Sequence, residues 1–409
     1  MHKLFFNLRH NNLSSDTVYI VDESSMIADF YSEAENLKFG SGKLLSDFFE
    51  FVNIDHNEHN KKVIFIGDPA QLPPVARGKS IESPALNEDY LKSNFRVKVS
   101  SFTLTEVVRQ DNSSGVLAEA TTLRKAISNK DFSRLKFNFN QTDFFRINAT
   151  DFINVYDSLC KGEIRKDVIA IAYTNDEVYK LNNRIRQYLH NKKKFFNEEY
   201  DEMLPIRKKD LLLVTKTYCK DGIFIRNGEI VEVSELLGQA EIKRIKIKNY
   251  DLSDNIIPLI FQDAVLKQSS EDGDIYLQCK LLLTSIYQNK LFKDLKNKDK
   301  ERLINQAMIV HFNMKYPNIS AKKDNEIYKK TLENDPYFNA VRVSYGYAIT
   351  GHKSQGSEWK NVFVFFDSKI KQHSEEFFRW TYTAITRTSK NLYVIDPPSL
   401  EILSSIQFI

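Results

Sequence analysis

The chain has 409 residues, of which 42% are hydrophobic and 27% are charged, and its formal net charge is +4. This length exceeds what one hydrophobic core normally serves, so we expect two or three globular domains. A net charge so close to zero excludes a global basic field, and any surface that binds nucleic acid must therefore be local.

Cysteine spacing and hydropathy narrow the class of protein further. Cys160, Cys219 and Cys279 are far apart and lack C-x-x-C spacing, which argues against a disulfide framework or a zinc site. We therefore expect a reducing, cytoplasmic compartment. No apolar run approaches the roughly eighteen residues of a membrane-spanning helix, so a membrane role is not expected.

The first predicted strand covers residues 17–21, T-V-Y-I-V, and ends at two carboxylates, Asp22 and Glu23. A buried parallel strand that ends in D-E places both carboxylates at the ligand edge of an α/β sheet. There one carboxylate can hold magnesium and the other can polarise a water molecule, as in a Walker B box. A helix start that is capped by Asp or Ser is the open alternative.

The stretch 40–43, G-S-G-K, resembles part of a phosphate loop but fails in detail. Position 37 is Leu where the pattern G-x-x-x-x-G-K needs its first Gly, and Leu44 replaces the Ser or Thr that binds magnesium. We reject it as a nucleotide site. Residues 43–51 instead predict an amphipathic helix with Leu44, Leu45, Phe48 and Phe49 on its apolar side.

A second buried strand, residues 62–66, leads directly into the loop G-D-P-A-Q-L-P-P-V at 67–75. Asp68 can anchor the turn, and Gln71 offers an amide to a phosphate or to the attacking water. Pro73 and Pro74 stiffen the end of this loop.

Farther along, the run 102–110, F-T-L-T-E-V-V-R-Q, places Arg109 at the end of a short apolar stretch. The planar guanidinium of Arg109 can reach a phosphate there.

The middle of the chain predicts a helix at 115–128 and then a buried strand at 168–173. Thr174 and Asn175 follow this strand and precede a helix whose apolar face includes Leu181 and Ile185. Asn175 is either a contact to nucleic acid or the N-cap of that helix, and the residues leave both readings open.

From about residue 210 the pattern changes to strands, with a turn signal at Asn227 and Gly228. Residues 242–248 alternate as a strand with one basic face. This face can lie along a phosphate backbone, but solvated lysines on an edge strand are the commoner explanation. Residues 281–316 predict helix and are rich in lysine, with no function implied.

Val341, Val343 and Tyr345 alternate as in a strand, and Gly351 then breaks the run before the polar turn 352–355, H-K-S-Q. A loop rich in hydrogen-bond donors at the end of a strand suits a chain of phosphates, although a solvated turn is the alternative. A strand at 361–366, a helix at 377–387 and a strand at 391–395 complete the pattern.

Six stretches of this sequence occur in the order of motifs II to VI of superfamily 1 DNA helicases. They are D-E-S-S-M, G-D-P-A-Q-L-P-P-V, L-T-E-V-V-R-Q, A-Y-T-N, T-G-H-K-S-Q-G-S-E and Y-T-A-I-T-R, between positions 22 and 387. The chain most resembles the RecD-like branch. The resemblance implies an α/β fold of two RecA-like domains of the P-loop NTPase type, the first incomplete, with a small β-barrel and helical insertion in the second.

The same resemblance predicts four segments. Residues 1–105 are the remainder of the first motor domain, 106–205 begin the second, 206–340 form the inserted barrel and helical region, and 341–409 complete the second motor domain.

The resemblance also implies ATP and magnesium as cofactors. Asp22 holds the magnesium ion, and the catalytic residues are Asp22, Glu23, Gln71, Arg109 and Arg387. Gly356 and Glu358 face the nucleotide with them. The implied contacts to DNA are Pro73, Pro74, Thr174, Asn175, His352, Lys353, Ser354 and Gln355.

One part of the family pattern has no counterpart. The loop G-x-x-G-x-G-K-T precedes the D-E strand in the family, yet residues 1–16 contain no glycine. A phosphate loop needs backbone N–H groups at a helix N-terminus and a lysine. We therefore expect a truncated chain, with this loop supplied by a missing segment or a partner.

Two functions remain open from the sequence. The first is an ATP-driven 5′ to 3′ helicase that acts on single-stranded DNA or on a single/double-strand junction in DNA repair or recombination. The second is a nucleic-acid-binding or regulatory module without ATPase activity.

Overall fold

The computed structural model describes most of the chain. The described residues are 4–32, 37–54, 60–74, 83–107, 113–139, 141–161, 166–191, 206–220, 222–247, 256–270, 273–292, 295, 297–320, 325–366, 370–398 and 400–401.

The helices of these residues include those that the sequence predicts, with ends moved by a few positions, and four that it does not predict, at 88–95, 152–160, 325–334 and 351–354. They are α1 (Leu44–Val52), α2 (Glu88–Phe95), α3 (Gly115–Ser128), α4 (Phe152–Cys160), α5 (Asn175–Asn191), α6 (Thr284–Leu291), α7 (Asn297–Lys315), α8 (Asn325–Asn334), α9 (Gly351–Ser354) and α10 (Glu375–Ile385).

The strands are β1 (Leu4–Phe6), β2 (Val18–Val21), β3 (Leu37–Phe39), β4 (Lys62–Phe65), β5 (Arg134–Leu135), β6 (Phe144–Ile147), β7 (Val168–Ala172), β8 (Leu211–Val214), β9 (Tyr218–Lys220), β10 (Ile223–Ile225), β11 (Ile230–Lys246), β12 (Ile256–Ser270), β13 (Gly273–Leu282), β14 (Val341–Tyr345), β15 (Ala348–Thr350), β16 (Trp359–Phe365), β17 (Thr388–Ile395) and β18 (Leu400–Glu401).

The chain divides into two compact units. The first comprises Met1–Phe152, Ile169–Asn175 and Thr350–Ile409, and the second comprises Ile153–Val168 and Asp176–Ile349. The division into four segments that the sequence suggests stays a prediction. The predicted α/β class with a small inserted barrel is confirmed.

Strands β2 and β4 pair in parallel as a two-stranded sheet, with Ile20 opposite Ile64. One face of this sheet packs on α1, where the ring of Phe48 lies 6.2 Å from that of Tyr19 and 5.9 Å from that of Phe65. On the other face Ile20 is 67% exposed and Ile64 is 48% exposed. The prediction that both strands are buried is therefore wrong for this face. Parallel strands are buried only where both faces of the sheet are covered, and the described residues cover one.

A five-stranded sheet has the order β15-β7-β16-β17-β6. Strand β17 runs parallel to both β16 and β6. Every residue of β7 is buried, as the unbroken apolar run 168–172 predicts for a central strand of a covered sheet. α10 packs against α3 and α9.

Strands β11-β12-β13-β14-β8 form a closed barrel. β14 is parallel to β13 and antiparallel to β8, so it closes the barrel. The family resemblance places residues 341–345 in a motor domain, and that division stays a prediction. Alternation in the sequence predicts that these residues form a strand, but it does not identify the strands they pair with. Closure removes the unpaired edges that an open sheet exposes.

The lysine-rich stretch after the barrel is helical over a shorter range than predicted. Leu281 and Leu282 belong to β13, and the helices begin at Thr284 and Asn297. α7 contributes Leu303, Ile304, Ala307 and Met308 to a core that also contains Ile257, Leu259 and Phe261 of the barrel. The stretch thus covers the barrel with an apolar helix face.

A buried ion pair holds the start of the barrel. Arg186 of α5 is 1% exposed, and its Nη2 lies 2.8 Å from Oδ2 of Asp210. The hydroxyl of Tyr347 donates to Oδ1 of Asp210 at 2.7 Å, and the guanidinium lies over the ring of Tyr345. Asn182 accepts from the backbone N–H groups of Tyr347 and Ala348, so α5 is tied to the turn that precedes β15.

The predicted basic face on β11 is present in part. Arg244 and Lys246 are exposed, and Ile245 is buried between them. Lys243 instead pairs with Glu241 at 3.0 Å and lies against the ring of Tyr337. Lys248 lies outside the described residues.

Among the described helices, none combines the length and hydrophobicity that a membrane span requires.

Candidate nucleotide and nucleic-acid site

Asp22 and Glu23 stand at the carboxyl end of β2, as the sequence predicts. Asp22 is exposed, and its Oδ1 accepts from the backbone N–H of Glu23 at 2.8 Å. A 3₁₀ turn, Ser24–Met26, begins directly afterwards, yet no side chain caps it. The carboxylates of this pair are therefore not used as helix caps, and the edge position favours a ligand site.

The backbone of Glu23 is held in a strained conformation. Its φ of 50° and ψ of 37° lie in the left-handed region, which non-glycine residues rarely adopt. Such strain persists only where the surroundings impose it, and it concentrates at functional sites. A Cβ atom added to Gly356 would lie 3.6 Å from Cγ and Oε1 of Glu23. Two residues predicted to serve the nucleotide therefore lie close together.

The 67–74 loop follows β4 and packs on the turn after Glu23. A Cβ atom on Gly67 would lie 2.9 Å from the backbone nitrogen of Ser25, so only glycine permits this approach. Oδ1 of Asp68 accepts from the N–H of Ala70 at 3.0 Å, and its carbonyl accepts from the N–H of Gln71 at 3.1 Å. The predicted anchoring role of Asp68 is confirmed.

Leu72, at the centre of the 67–74 loop, is held from two sides. Its N–H donates to Oγ1 of Thr383 at 3.0 Å, and its carbonyl accepts from Nε2 of Gln355 at 2.9 Å. Thr383 belongs to α10, and Gln355 follows α9. The structure therefore joins three motifs that are far apart in sequence.

Asp68 adds a further link between this loop and the helices. The hydroxyl of Tyr382 donates to Oδ2 of Asp68 at 2.6 Å, and Nη1 of Arg124 lies 3.3 Å from the same oxygen. Burial raises the pKa of the Tyr382 hydroxyl, so it remains a donor. Tyr382 lies within the Y-T-A-I-T-R stretch, where the sequence offered a signal. Arg124 had none, because an exposed arginine on a helix is unremarkable in sequence.

Gln71, Pro73 and Pro74 lie in the same loop and are half-buried. Within the described part of the chain, Oε1 of Gln71 is buried without a hydrogen-bond partner. Its proposed role toward the terminal phosphate stays a prediction.

Residues 352–355 do not all face outward. Ser354 is fully buried and its hydroxyl donates to the carbonyl of Gly351 at 2.7 Å. The side-chain amide of Gln355 is used by the carbonyl of Leu72. Both side chains therefore support the loop in this structure, and their contact with DNA stays a prediction. α9 turns Ser354 inward because its single helical turn sets which positions face the core.

His352 and Lys353 are half-exposed and remain the better candidates for contact with nucleic acid. Burial lowers the pKa of the His352 imidazole, and the charge of Glu376 opposes this shift. The hydroxyl of Tyr173 donates to Oε1 of Glu376 at 2.6 Å, and its ring meets Trp380 edge-on. Residues 173, 352 and 376 are thus neighbours.

Thr174 is half-buried and Asn175 is exposed. Because α5 begins at Asn175, the choice between a helix-end role and a nucleic-acid contact stays open.

Arg387 follows the end of α10 and is 3% exposed. Its Nε donates to the carbonyl of Thr383 at 3.0 Å, and its Nη2 donates to Oγ1 of Thr386 at 3.1 Å. The guanidinium is therefore held by protein oxygens in this structure. Glu358 is exposed. Arg109 lies outside the described residues, as does Val75.

The carboxylates of Asp22 and Glu23 suit a magnesium ion only when the phosphates of a nucleotide supply further ligands. The described residues contain no group of three or more His, Cys, Asp or Glu side chains that could hold a metal ion. Magnesium in nucleotide sites is usually bound through one or two carboxylates and the substrate's own phosphates. Asp22 and Glu23 fit that mode.

The rejected G-S-G-K stretch carries its own anion. Oδ1 of Asp47 accepts from the backbone N–H of Ser41 at 2.8 Å, and Asp47 is buried. A Cβ atom on Gly40 would lie 2.4 Å from Oδ2 of Asp47. The carboxylate thus takes a backbone donor that a phosphate would need.

Comparisons with known proteins place this geometry in context. Residues 345–395 match the family described as the UvrD-like helicase C-terminal domain. RecBCD enzyme subunit RecD of Buchnera aphidicola subsp. Schizaphis graminum is 24% identical over 411 residues, which cover 96% of this chain and 56% of that protein. The chain is therefore similar to a UvrD-like helicase domain over these residues and to a RecD protein over most of its length.

Two further matches extend over nearly all of this chain. A protein named MJ1519 from Methanocaldococcus jannaschii is 26% identical over 395 residues, which cover 92% of this chain and 28% of that protein. The crystal structure of Pif1 helicase from Candida albicans is 14% identical, with a TM-score of 0.46, and the match covers 93% of this chain and 72% of that one. The chain thus spans about a quarter of MJ1519 and about half of RecD.

Proposed function

We propose that this chain is the motor part of an ATP-dependent DNA helicase of the RecD type, moving 5′ to 3′ on single-stranded DNA or from a single/double-strand junction. The observation that carries the proposal is the meeting of distant motifs. Leu72 is hydrogen-bonded to both Gln355 and Thr383, and Gly356 lies near Glu23. A motor that couples hydrolysis to movement needs such joined elements.

In the proposed reaction Asp22 holds magnesium at the edge of the sheet and Glu23 orients the attacking water. Gln71, Gly356 and Glu358 line the position of the nucleotide. Magnesium, bound with ATP, neutralises charge on the phosphates during transfer. Arg387 and Arg109 stabilise that charge from their own motifs. For Arg387 this requires that its guanidinium leave the oxygens of Thr383 and Thr386.

Single-stranded DNA is the proposed partner, bound near His352 and Lys353. Thr174, Asn175, Pro73 and Pro74 complete the proposed contact. Ser354 and Gln355 act from beneath, since their side chains bond to Gly351 and Leu72. A cytoplasmic location and a role in DNA repair or recombination are parts of the same proposal.

We further propose that hydrolysis needs a phosphate loop from outside residues 1–409, in a preceding segment or a partner. Two observations support this. The carboxylate of Asp47 accepts a hydrogen bond from the backbone N–H of Ser41, within the G-S-G-K stretch. Val18, Ile20, Ile64 and Ile66 form an exposed apolar face beside the carboxylate pair, and such faces mark interaction sites.

The test is DNA-dependent ATP hydrolysis by the chain alone and by a fused form. The fused form carries a strand, a G-x-x-G-x-G-K-T loop and a helix from a RecD-type helicase before Met1. We expect no stimulated hydrolysis by the chain alone and robust hydrolysis by the fused form. Robust hydrolysis by the chain alone would contradict the need for an added loop.

Arg387→Ala in the hydrolysing fused form separates catalysis from support. We expect turnover to fall by roughly three to five orders of magnitude, with DNA affinity nearly unchanged, because an arginine of this kind acts on charge that develops in the transition state. Equal losses in turnover and affinity would assign Arg387 a structural role.

The second candidate is a nucleic-acid-binding or regulatory module without ATPase activity. The burial of Arg387 against protein oxygens favours it. Failure of the fused form to hydrolyse ATP, together with retained DNA binding, would select this candidate.

A further inference from the structure

Arg379 lies in the middle of α10 and belongs to none of the motifs that the sequence singles out. It is 8% exposed. Its Nη1 donates to the backbone carbonyls of Pro69 and Gln71, the latter at 3.2 Å. The guanidinium of Arg379 is thus hydrogen-bonded to two backbone carbonyls of the 67–74 loop.

The orientation of Arg379 is fixed by a neighbour on its own helix. Oε1 of Glu375, one turn earlier, lies 2.7 Å from both Nε and Nη2 of Arg379. A buried charge is tolerated only when it is paired, and the carboxylate on one side leaves Nη1 to the loop on the other. The planar fork makes this two-sided arrangement possible, which a lysine could not reproduce.

Arg379 acts with two other side chains of α10. Tyr382 donates to Asp68, and Thr383 accepts from Leu72. Positions 379, 382 and 383 are spaced by three and four residues, so they lie on one face of the helix. That face binds four residues of the loop, Asp68, Pro69, Gln71 and Leu72. The same helix ends at Ile385, two positions before Arg387.

We propose that Arg379 is a positioning residue that sets the location of Gln71 relative to Arg387. This inference rests on the proposed function, since it concerns how two residues of the proposed hydrolysis site are held. Arg379 touches the backbone of the loop and acts through Gln71.

The contact itself is tested without any activity, by hydrogen exchange of the backbone amides at 70–72 in the chain. We expect Arg379→Ala to speed this exchange by at least about tenfold, because hydrogen bonds to charged groups are the stronger class. Arg379→Lys should fall between, and Glu375→Gln should give a smaller increase, since Arg379 remains but is no longer oriented. Arg146→Ala is the matched control, because it removes the same charge at an exposed position of β6.

Positioning is then tested by kinetics in the fused form that hydrolyses ATP. We expect Arg379→Ala to lower kcat about 100-fold with KM for ATP changed less than about threefold, because small displacements of a positioned group mainly affect the transition state. Partial rescue by Arg379→Lys is expected. A merely structural role would lower the melting temperature and leave the kcat of the folded fraction unchanged.

The outcomes separate this inference from the proposed function. Unchanged exchange at 70–72 in both Arg379→Ala and Glu375→Gln would overturn the contact, whatever the ATPase result. Faster exchange with unchanged kcat would overturn the positioning role. If the wild-type fused form hydrolyses no ATP, the proposed function fails and the positioning role fails with it, whereas the exchange measurement still decides whether Arg379 holds the carbonyls of Pro69 and Gln71.

Discussion

The two-stranded sheet β2-β4 and the closed barrel are built from similarly apolar strands but differ in how far the side chains of those strands are buried. In the barrel, Leu259 and Phe261 are fully buried, and α7 covers the strands. In the sheet, Ile20 and Ile64 are largely exposed on one face, although the strands read as equally hydrophobic. Strand composition therefore shows what a strand can bury, whereas its neighbours decide what it does bury.

Polar groups follow the same division. Arg186 and Asp210 form a fully buried pair beside the barrel, with every partner inside the protein. Asp22 and Glu23 stand at an exposed sheet edge, where a ligand can reach them. The first pair serves the fold, and the second suits chemistry. Four predictions test this contrast, beginning with the largest effect.

Arg186→Ala should lower the free energy of unfolding by about 3–5 kcal/mol, because it leaves the buried carboxylate of Asp210 without its counter-charge. Chemical denaturation monitored by circular dichroism measures the loss. Lys267→Ala is the control: it breaks a partly exposed pair with Asp274 on the barrel, worth about 0–1 kcal/mol. A loss below about 1 kcal/mol in Arg186→Ala would show that the pair is dispensable.

Leu259→Ala in the barrel should cost about 2–5 kcal/mol, whereas Ile20→Ala on the exposed sheet face should change stability by no more than about 0.5 kcal/mol. Replacing Ile20 should also raise the solubility limit of the protein, since it reduces an exposed apolar face. Denaturant midpoints and saturation concentrations measure the two effects. If Ile20→Ala costs as much as Leu259→Ala, the face is covered in solution.

Lys353→Ala should weaken binding to a single-stranded oligonucleotide and reduce the slope of log affinity against log salt by about one, as expected for one lost phosphate contact. Lys246→Ala, on the exposed basic face of β11, is the matched control and should change neither quantity. Fluorescence anisotropy at several salt concentrations measures both. The reverse result would place the DNA on the barrel.

The smallest expected effect concerns pH. A hydrogen bond from Lys243 lowers the pKa of Glu241 from an ordinary value of 4.5 to about 2. A carboxyl whose pKa is lower in the folded state than in the unfolded state stabilises the folded protein at pH values above the pKa of the unfolded state. That contribution is lost as pH falls from about 4.5 toward 2. Because the pair is partly exposed, we expect less than about 1 kcal/mol. Glu241→Gln should flatten stability over this range. An unchanged pH profile would contradict it.

Much of the local structure was predictable from the chain. The helix at 115–128, the strand that precedes Asp22 and the anchoring turn at Asp68 all appear as expected. These features depend on periodicity and turn chemistry over a few residues, which the sequence states directly. The order of the motifs likewise predicted the resemblance to superfamily 1 helicases.

Only the tertiary structure decided which of these elements meet. The bonds from Leu72 to Gln355 and Thr383, the closure of the barrel by β14, and the inward turn of Ser354 join positions far apart in sequence. No local pattern encodes such contacts, because a strand or a helix presents the same periodicity whatever packs against it. The sequence specifies which side chains carry hydrogen-bond donors, and the fold determines whether each donor bonds to the protein or to solvent.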